Sequence, residues 1–273
     1  MRVHHLNCGS MAPPFRKLVN GTGGLFASGE MVCHCLLIET GDGLVLVDTG
    51  VGAHDIAAPA ESLTSEFLKI TRPSLRHEET AVAQVRALGH RPEDVRHIVL
   101  THLDLDHAGG LRDFPWAKVH VHADELAVAT AQATHRDRRR FRAAQWSHGP
   151  DWASYHPGGD RWFGFEAVRG LTGLPEDILF VPLAGHTRGH SGVAVRDGSR
   201  WLLHAGDSYF FRGEVDPRRP HCTPGLALFQ QLVTTDRAKR TANRDRLQEL
   251  AANHGDEIEI FSAHDPEELR RYR

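Results

Sequence analysis

The sequence predicts an α/β protein built from two similar halves, and three observations support that class. Short apolar runs rich in β-branched residues alternate with segments of helical periodicity. The 273 residues suffice for one large domain with a well-buried core and do not clearly provide two. Several of the apolar runs end in clusters of polar side chains, and this strand-to-cluster pattern recurs along both halves. We therefore expect a single domain over residues 1–273.

The individual elements follow from periodicity and turn residues. A hairpin is expected over 32–39 and 43–48, with Gly41-Asp42-Gly43 as its turn. Gly89 and Gly255 each follow a helical pattern and mark where those helices end. The other predicted strands are 97–100, 118–122, 178–183, 193–196, 201–205 and 258–262, and the predicted helices cover 82–88, 123–133 and 241–253.

Composition limits the partners and the location. The net charge of −3 gives no overall attraction to nucleic acid or to an anionic membrane. The N-terminus has no apolar signal region, and no apolar run approaches the roughly 20 residues that span a bilayer. We expect a cytoplasmic protein with a small-molecule substrate and neither a nucleic-acid nor a membrane partner. The four cysteines form no C-x-x-C pair, which favours reduced core residues over a redox site.

Residues 135–175 differ in composition from their surroundings. A basic run, His135-Arg136-Asp137-Arg138-Arg139-Arg140-Phe141-Arg142, precedes several aromatic residues mixed with glycines. Linkers seldom carry so many aromatic residues, so we interpret the segment as an insertion. It is expected to cap a pocket or to form the contact of a homodimer, while nucleic-acid binding is a weaker alternative.

The richest motif for chemistry is Thr101-His102-Leu103-Asp104-Leu105-Asp106-His107, which follows a predicted buried strand. Imidazole nitrogens and carboxylate oxygens are the usual ligands of divalent transition metals. Four further motifs stand beside predicted strands: Val47-Asp48-Thr49-Gly50, Gly185-His186-Thr187-Arg188-Gly189-His190, Gly206-Asp207-Ser208 and Ser262-Ala263-His264-Asp265. Their repeated position at strand ends predicts one metal centre. Gly109-Gly110 is expected to let the backbone turn tightly around it.

These motifs, in this order, resemble the metallo-β-lactamase superfamily, and within it the N-acyl-homoserine lactone lactonases and their hydrolase relatives. The resemblance runs from about Cys33 to His264. It implies a four-layer αβ/βα sandwich, in which two mixed β-sheets pack together with helices outside. It also implies a dinuclear metal-dependent hydrolase that cleaves an ester or lactone, such as an acyl-homoserine lactone, by a metal-bridging hydroxide.

The resemblance also assigns residues. The first metal would be bound by His102, Asp104 and His186, the second by Asp106, His107 and His264, and Asp207 would bridge both ions. His190 and Asp48 would act as outer supports, although a turn-capping role for Asp48 is an equal alternative. Asp106, Asp207 and Tyr209 are the expected catalytic residues. The lactonase tyrosine lies one position further along, where this chain has Phe210.

Asp104 departs from the family motif His-x-His-x-Asp-His, because aspartate replaces the second histidine. The extra carboxylate favours manganese or iron over zinc, and we expect Asp104→His to shift the preference toward zinc. Two alternatives to the hydrolase stay open. His102, His186 and Asp207 could form the two-histidine, one-carboxylate site of an iron-dependent dioxygenase or oxidoreductase. A non-catalytic binding protein on the same fold is the other.

Overall fold

The first half of the chain forms a six-stranded mixed sheet in the order β1-β2-β3-β4-β5-β6. The structure, a computed structural model, describes residues 1–156, 158–166 and 171–272. The sheet contains β1 (Arg2–Met11), β2 (Met31–Thr40), β3 (Gly43–Val47), β4 (Val95–Val99), β5 (Lys118–His122) and β6 (Asp151–Tyr155). Strands β1 to β3 pair antiparallel, whereas β3 to β6 run parallel.

The second half forms a four-stranded sheet in the order β12-β11-β10-β9. The remaining strands are β7 (Arg161–Trp162), β8 (Phe165–Glu166), β9 (Ile178–Pro182), β10 (Ser191–Asp197), β11 (Arg200–His204) and β12 (Ile258–Phe261). Strands β9, β10 and β11 are antiparallel, while β12 lies parallel to β11. Strands β7 and β8 pair only with each other among the described residues.

The helices connect and flank these strands. They are α1 (Arg16–Asn20), α2 (Ala53–Ala57), α3 (Pro59–Ser62), α4 (Ser65–Thr71), α5 (Ala81–Ala87), α6 (Ala123–Ala131), α7 (His135–Arg140), α8 (Pro224–Val233), α9 (Arg237–His254) and α10 (Pro266–Arg270). None of the helices in the described residues is long and apolar enough to cross a membrane.

Alternating side chains stack the two sheets face to face. Leu36 and Ile38 of β2 meet Phe180 of β9 and Val193 of β10 in one buried cluster between the sheets. Leu37, the residue between the first two, points to the opposite face, into the cluster that α5 covers. This period of two buries both faces of the sheet. Leu247 and Leu250 of α9 cover the outer face of the second sheet, which completes the predicted four-layer sandwich.

Most predicted elements are confirmed, with shifted ends. The hairpin of β2 and β3 and the strand over 118–122 agree with the sequence analysis, and α9 begins four residues before the expected 241. The segment 135–175 is less separate than an insertion would be. Its β6 pairs with β5 as the outermost strand of the first sheet, whereas α7 lies beside the functional site described below. Residues 157 and 167–170 of this segment lie outside the described residues.

Candidate metal centre

Four loops bring polar side chains to the carboxyl ends of the central strands. The loop after β4 carries His102 to His107, and the loops after β9, β11 and β12 carry His186, Asp207 and His264. Parallel strands place these ends at one edge, so residues more than 160 positions apart in sequence meet. Two groups with metal-binding geometry result: His102, Asp104, His186 and Asp207, and then His107, Asp207 and His264.

Asp207 lies at the centre, where its two carboxylate oxygens face four imidazoles between them and both lie within 3.3 Å of Nε2 of His264. Its Oδ1 is 3.3 Å from Nε2 of His107 and 3.1 Å from Nε2 of His264. Its Oδ2 is 3.3 Å from Nε2 of His186 and 3.7 Å from Nε2 of His102. This side chain therefore joins the two halves of the centre, as expected of a bridging ligand.

Asp104 and Asp106 extend the two halves on opposite sides. Oδ2 of Asp104 is 2.9 Å from Nε2 of His186 and 3.4 Å from Nε2 of His102. Oδ2 of Asp106 is 3.7 Å from Nε2 of His264. The Sγ atom of the buried Cys33 also lies within 4.8 Å of ligand atoms of Asp106 and His264. The sequence predicts a core residue at this position, and the structure places the buried thiol beneath the second half of the centre.

The outer nitrogen of three histidines has a hydrogen-bond partner, so the inner nitrogen is turned toward the centre. Nδ1 of His107 donates to Oδ2 of Asp48 over 2.8 Å, and Nδ1 of His264 donates to the carbonyl of Val32 over 2.8 Å. Nδ1 of His102 donates to Oγ1 of Thr101 over 2.9 Å, and that hydroxyl donates to Asp48 over 2.7 Å. Asp48 thus orients one histidine directly and another through Thr101. The role of Thr101 was not predicted from the sequence.

His190 uses both ring nitrogens on the backbone rather than on the centre itself. Its Nδ1 donates to the carbonyl of Leu183 over 3.0 Å, and its Nε2 accepts from the amide of Asp207 over 2.8 Å. This contact holds the backbone of Asp207 from behind. The buried Glu125 supports the centre in a similar way, because its carboxylate accepts from the amides of Leu103 and Gly189 over 3.0 and 3.1 Å. No motif in the sequence indicates this role.

The donor atoms fit divalent cations. Nε2 of His102, Nε2 of His107 and Oδ1 of Asp207 are buried and form no hydrogen bond of acceptable geometry with any part of the chain that the structure describes. Buried polar atoms are normally satisfied, so three buried polar atoms without a partner in one centre call for a ligand. Imidazole and carboxylate suit zinc, manganese and iron alike.

The electrostatics agree with this fit. Burial alone would raise the pKa of the Asp207 carboxyl, but His264, His107 and His186 hold it well below its usual range. Burial alone would lower the pKa of His107, and Asp207 and Asp48 instead raise it well above the ordinary value. The centre therefore concentrates negative charge that is balanced by protons on imidazoles, and a metal ion would replace those protons.

The structure does not bring the Tyr209 hydroxyl to this centre, contrary to the expectation from sequence. The ring is fully buried in the core beneath the second sheet, and its hydroxyl donates to Oε1 of Glu268 over 3.0 Å. Phe210 takes the neighbouring position instead, with its ring 4.9 Å from that of His264. The offset of one position in the motif reverses the direction of the side chain, so Tyr209 points away.

The expectation that Gly109-Gly110 allows a tight backbone turn is also wrong. Neither glycine has a positive φ. A Cβ on Gly109 would lie 2.1 Å from Oδ2 of Asp55, and one on Gly110 would lie 2.9 Å from the carbonyl oxygen of Thr49. These glycines permit close approach of the loop that follows Asp48, rather than a tight turn.

Arg140 of α7 enters the first half of the centre, although the basic run in which it stands gives no sign of this role. Its Nε and one terminal nitrogen form a bidentate pair with Asp104, with both distances 2.6 Å. The same terminal nitrogen lies 2.7 Å from Nε2 of His186. The other terminal nitrogen donates to the carbonyl of Val233 over 2.6 Å. A charge at this place is not apparent from spacing, because 36 residues separate Arg140 from Asp104.

A cavity of about 350 Å³ opens onto the centre. Asp104, Asp106, His186, Asp207 and His264 line its inner end. Its outer walls are largely apolar, with arginines of α7 at one side: Met11, Met31, Phe67, Phe210, Phe229, Leu232, Val233, Arg136, Arg139 and Arg140. The cavity thus gives access to the ligand set between largely apolar walls and a row of arginines.

The chain belongs to the metallo-beta-lactamase superfamily, whose family profile matches residues 28–253. A probable metallo-hydrolase of Mycobacterium tuberculosis is 41% identical over 267 residues, which cover 98% of this chain and 81% of the relative. The N-acyl homoserine lactonase AttM of Rhizobium radiobacter is 25% identical over 258 residues, covering 94% of this chain and 89% of that protein.

Solved structures share the fold at lower identity. An N-acyl homoserine lactone hydrolase, with the product N-hexanoyl-L-homoserine bound at its catalytic metal centre, superposes with a TM-score of 0.71. It is 20% identical, and the match covers 99% of this chain and 96% of the other. AidC, a dizinc quorum-quenching lactonase, superposes with a TM-score of 0.61 at 18% identity, covering 97% and 87% of the two chains. These likenesses confirm the predicted fold.

Proposed function

We propose that this protein is a dinuclear metal-dependent hydrolase that cleaves an ester or lactone bond. The observation that carries the proposal is the central position of Asp207. Its Oδ1 faces His107 and His264, and its Oδ2 faces His186 and His102 and also reaches His264. A carboxylate in this position can bridge two ions. Bound divalent ions would supply Lewis acidity, which activates water as a nucleophile and polarises a carbonyl group.

The protein's own residues would position and enclose the substrate. The apolar wall formed by Met31, Phe210 and Phe229 suits an acyl group and limits the access of bulk water to the bond that breaks. Asp106 also lines the cavity, with its side chain 13% exposed. Its carboxylate is placed to take a proton from the attacking water and to return it to the leaving alkoxide.

The ester or lactone class is supported by the relatives rather than by the ligands alone. Several relatives of this chain are named as N-acyl homoserine lactonases, and the cavity has the mixed apolar and cationic lining that such a neutral acyl compound could occupy. No serine or cysteine nucleophile is required for this chemistry, because water attacks directly. The particular substrate is a matter for a screen of lactones, aryl esters and thioesters.

A mononuclear iron dioxygenase is the second candidate, because His102, His186 and Asp207 also provide two histidines and one carboxylate. The second set of imidazoles on Oδ1 of Asp207 favours the dinuclear hydrolase over it. Elemental analysis and isotope labelling separate the two. The hydrolase should hold close to two ions per chain and place oxygen from labelled water in the product. A single iron, with label arriving from dioxygen, would refute the hydrolase proposal.

A further inference from the structure

Arg140 occupies the position from which the first metal ion would be bound. One terminal nitrogen of its guanidinium lies 2.6 Å from Oδ2 of Asp104 and 2.7 Å from Nε2 of His186. These two atoms belong to the donor group that the structure assembles for that ion. A cation already lies against both of them.

The guanidinium is held firmly in this place. Nε contacts the other oxygen of Asp104 over 2.6 Å, and the remaining terminal nitrogen donates to the backbone carbonyls of Val233 and His186 over 2.6 and 3.2 Å. The side chains of Arg140 and Asp104 are only 13% and 15% exposed. Bidentate arginine–carboxylate pairs with this shielding are among the stronger ionic contacts in proteins.

The second half of the centre has no comparable competitor. Asp106, His107 and His264 are contacted by Asp48 and by backbone groups, and no arginine or lysine nitrogen contacts their inner atoms among the described residues. The two ion positions are therefore unequal, although Asp207 is common to both. We propose that Arg140 competes with the first metal ion for Asp104 and His186. The second site therefore fills first, and the first site binds its ion weakly.

This inference rests on the proposed dinuclear centre and adds a consequence for Asp104. The extra carboxylate and the guanidinium balance in charge, so the pair replaces one neutral histidine of the family motif. Asp104→His alone would leave Arg140 buried beside a neutral imidazole without its carboxylate partner. The single substitution should therefore fail to create a zinc site of the common type, and only Asp104→His combined with Arg140→Met should do so. The sequence alone suggested that the single change would suffice.

The test is a titration of Zn²⁺ and of Mn²⁺ into chelator-stripped protein, with ion counts by mass spectrometry and affinities by competition with a chromophoric chelator. The unaltered protein should bind one ion tightly and a second weakly. Arg140→Met removes the competing cation, so the weak ion should bind about tenfold or more tightly, while the tight ion changes little. Arg140→Lys keeps a charge without the bidentate fork and should lie between them. Arg138→Met, on the same helix but exposed, is the matched control and should change neither affinity.

The possible results separate the competition by Arg140 from the proposed dinuclear hydrolase. Weaker binding of the first ion in Arg140→Met would mean that the guanidinium supports Asp104 as a ligand, and it would overturn the competition. Two equal sites that Arg140→Met leaves unchanged would overturn it as well, while a dinuclear hydrolase would stand. If neither the unaltered protein nor any of the variants binds metal, both the competition and the proposed dinuclear hydrolase would be overturned. Circular dichroism of the stripped variants, with Arg140→Lys as the milder change, keeps a folding defect from being taken for a binding effect.

Discussion

Asp48 offers the sharpest test of how the centre is organised, because a single atom can be changed without moving the backbone. The residue has φ 56°, a left-handed conformation that asparagine tolerates well. Its two oxygens accept three hydrogen bonds, from the Thr101 amide, the Thr101 hydroxyl and Nδ1 of His107. Asp48→Asn replaces one of these acceptors with a donor.

The structure predicts which contact fails. If the remaining carbonyl oxygen keeps the amide of Thr101, the new amide group meets Nδ1 of His107. That imidazole must then move its proton to Nε2, the atom that faces Asp207 and would bind the metal. Losing an outer partner of a metal-bound histidine typically weakens binding 10–100-fold, or about 1.4–2.7 kcal/mol. We expect that loss for the ion bound by His107.

Thr101→Val provides the matched comparison. It removes the hydroxyl that accepts from Nδ1 of His102 but leaves the contact of 2.8 Å between Asp48 and His107 in place. The two variants should therefore weaken different ions. Zinc titrations against a competing chelator measure both affinities in one experiment. Equal loss at the same ion in both variants, or no loss in either, would refute the claim that Asp48 fixes His107 directly.

Three further predictions follow from the site and its surroundings. Asp207→Asn should weaken both ions by more than the roughly 10–100-fold of an outer partner, because it removes charge from the shared ligand; loss of only one ion, by ion counting, would contradict the bridging position. Tyr209→Phe should leave kcat/KM nearly unchanged but lower the free energy of unfolding by about 1–3 kcal/mol, since it leaves Glu268 without one hydrogen bond; a large fall in kcat would return Tyr209 to the reaction. Burial, aided by Asp265, raises the pKa of Glu268 to about 8 from 4.5, so its contribution to stability is complete below pH 4.5 and is lost as the pH rises through about 8. In urea unfolding, the free energy of unfolding of the unaltered protein should therefore fall by about 1.4 kcal/mol per pH unit between pH 4.5 and about 8, and Glu268→Gln should lack this fall. Equal pH slopes in the two proteins would show that Glu268 ionises normally.

The sequence predicted the parts of the site that depend on local spacing. His102, Asp104, Asp106 and His107 lie within six residues after a buried strand, so their proximity follows from one short loop. Three further ligands each follow a predicted strand: His186, Asp207 and His264. The family resemblance predicted that they meet at the same metal centre. The order of these motifs along the chain likewise predicted most of the fold, through the resemblance to the family.

The sequence could not predict contacts that depend on packing between distant elements. Arg140 stands in a run of arginines, and nothing in that run distinguishes the one side chain that turns inward. Glu125 reaches two loops from a helix whose sequence is typical of any surface helix. Tyr209 was placed by analogy, and an offset of one residue in an irregular loop was enough to direct its hydroxyl to Glu268. The strand over 151–155 was not predicted, because the aromatic residues around it suggested an insertion.

The hydrogen bond between His264 and the carbonyl of Val32 joins the last ligand of the centre to the second strand of the chain. During synthesis, Val32 leaves the ribosome more than 230 residues before its partner. Until His264 has been synthesised, the nascent protein can display His102, Asp104 and His107 but cannot close the second ion position. Loading of that position is consequently a late event, completed only when β12 has paired with β11.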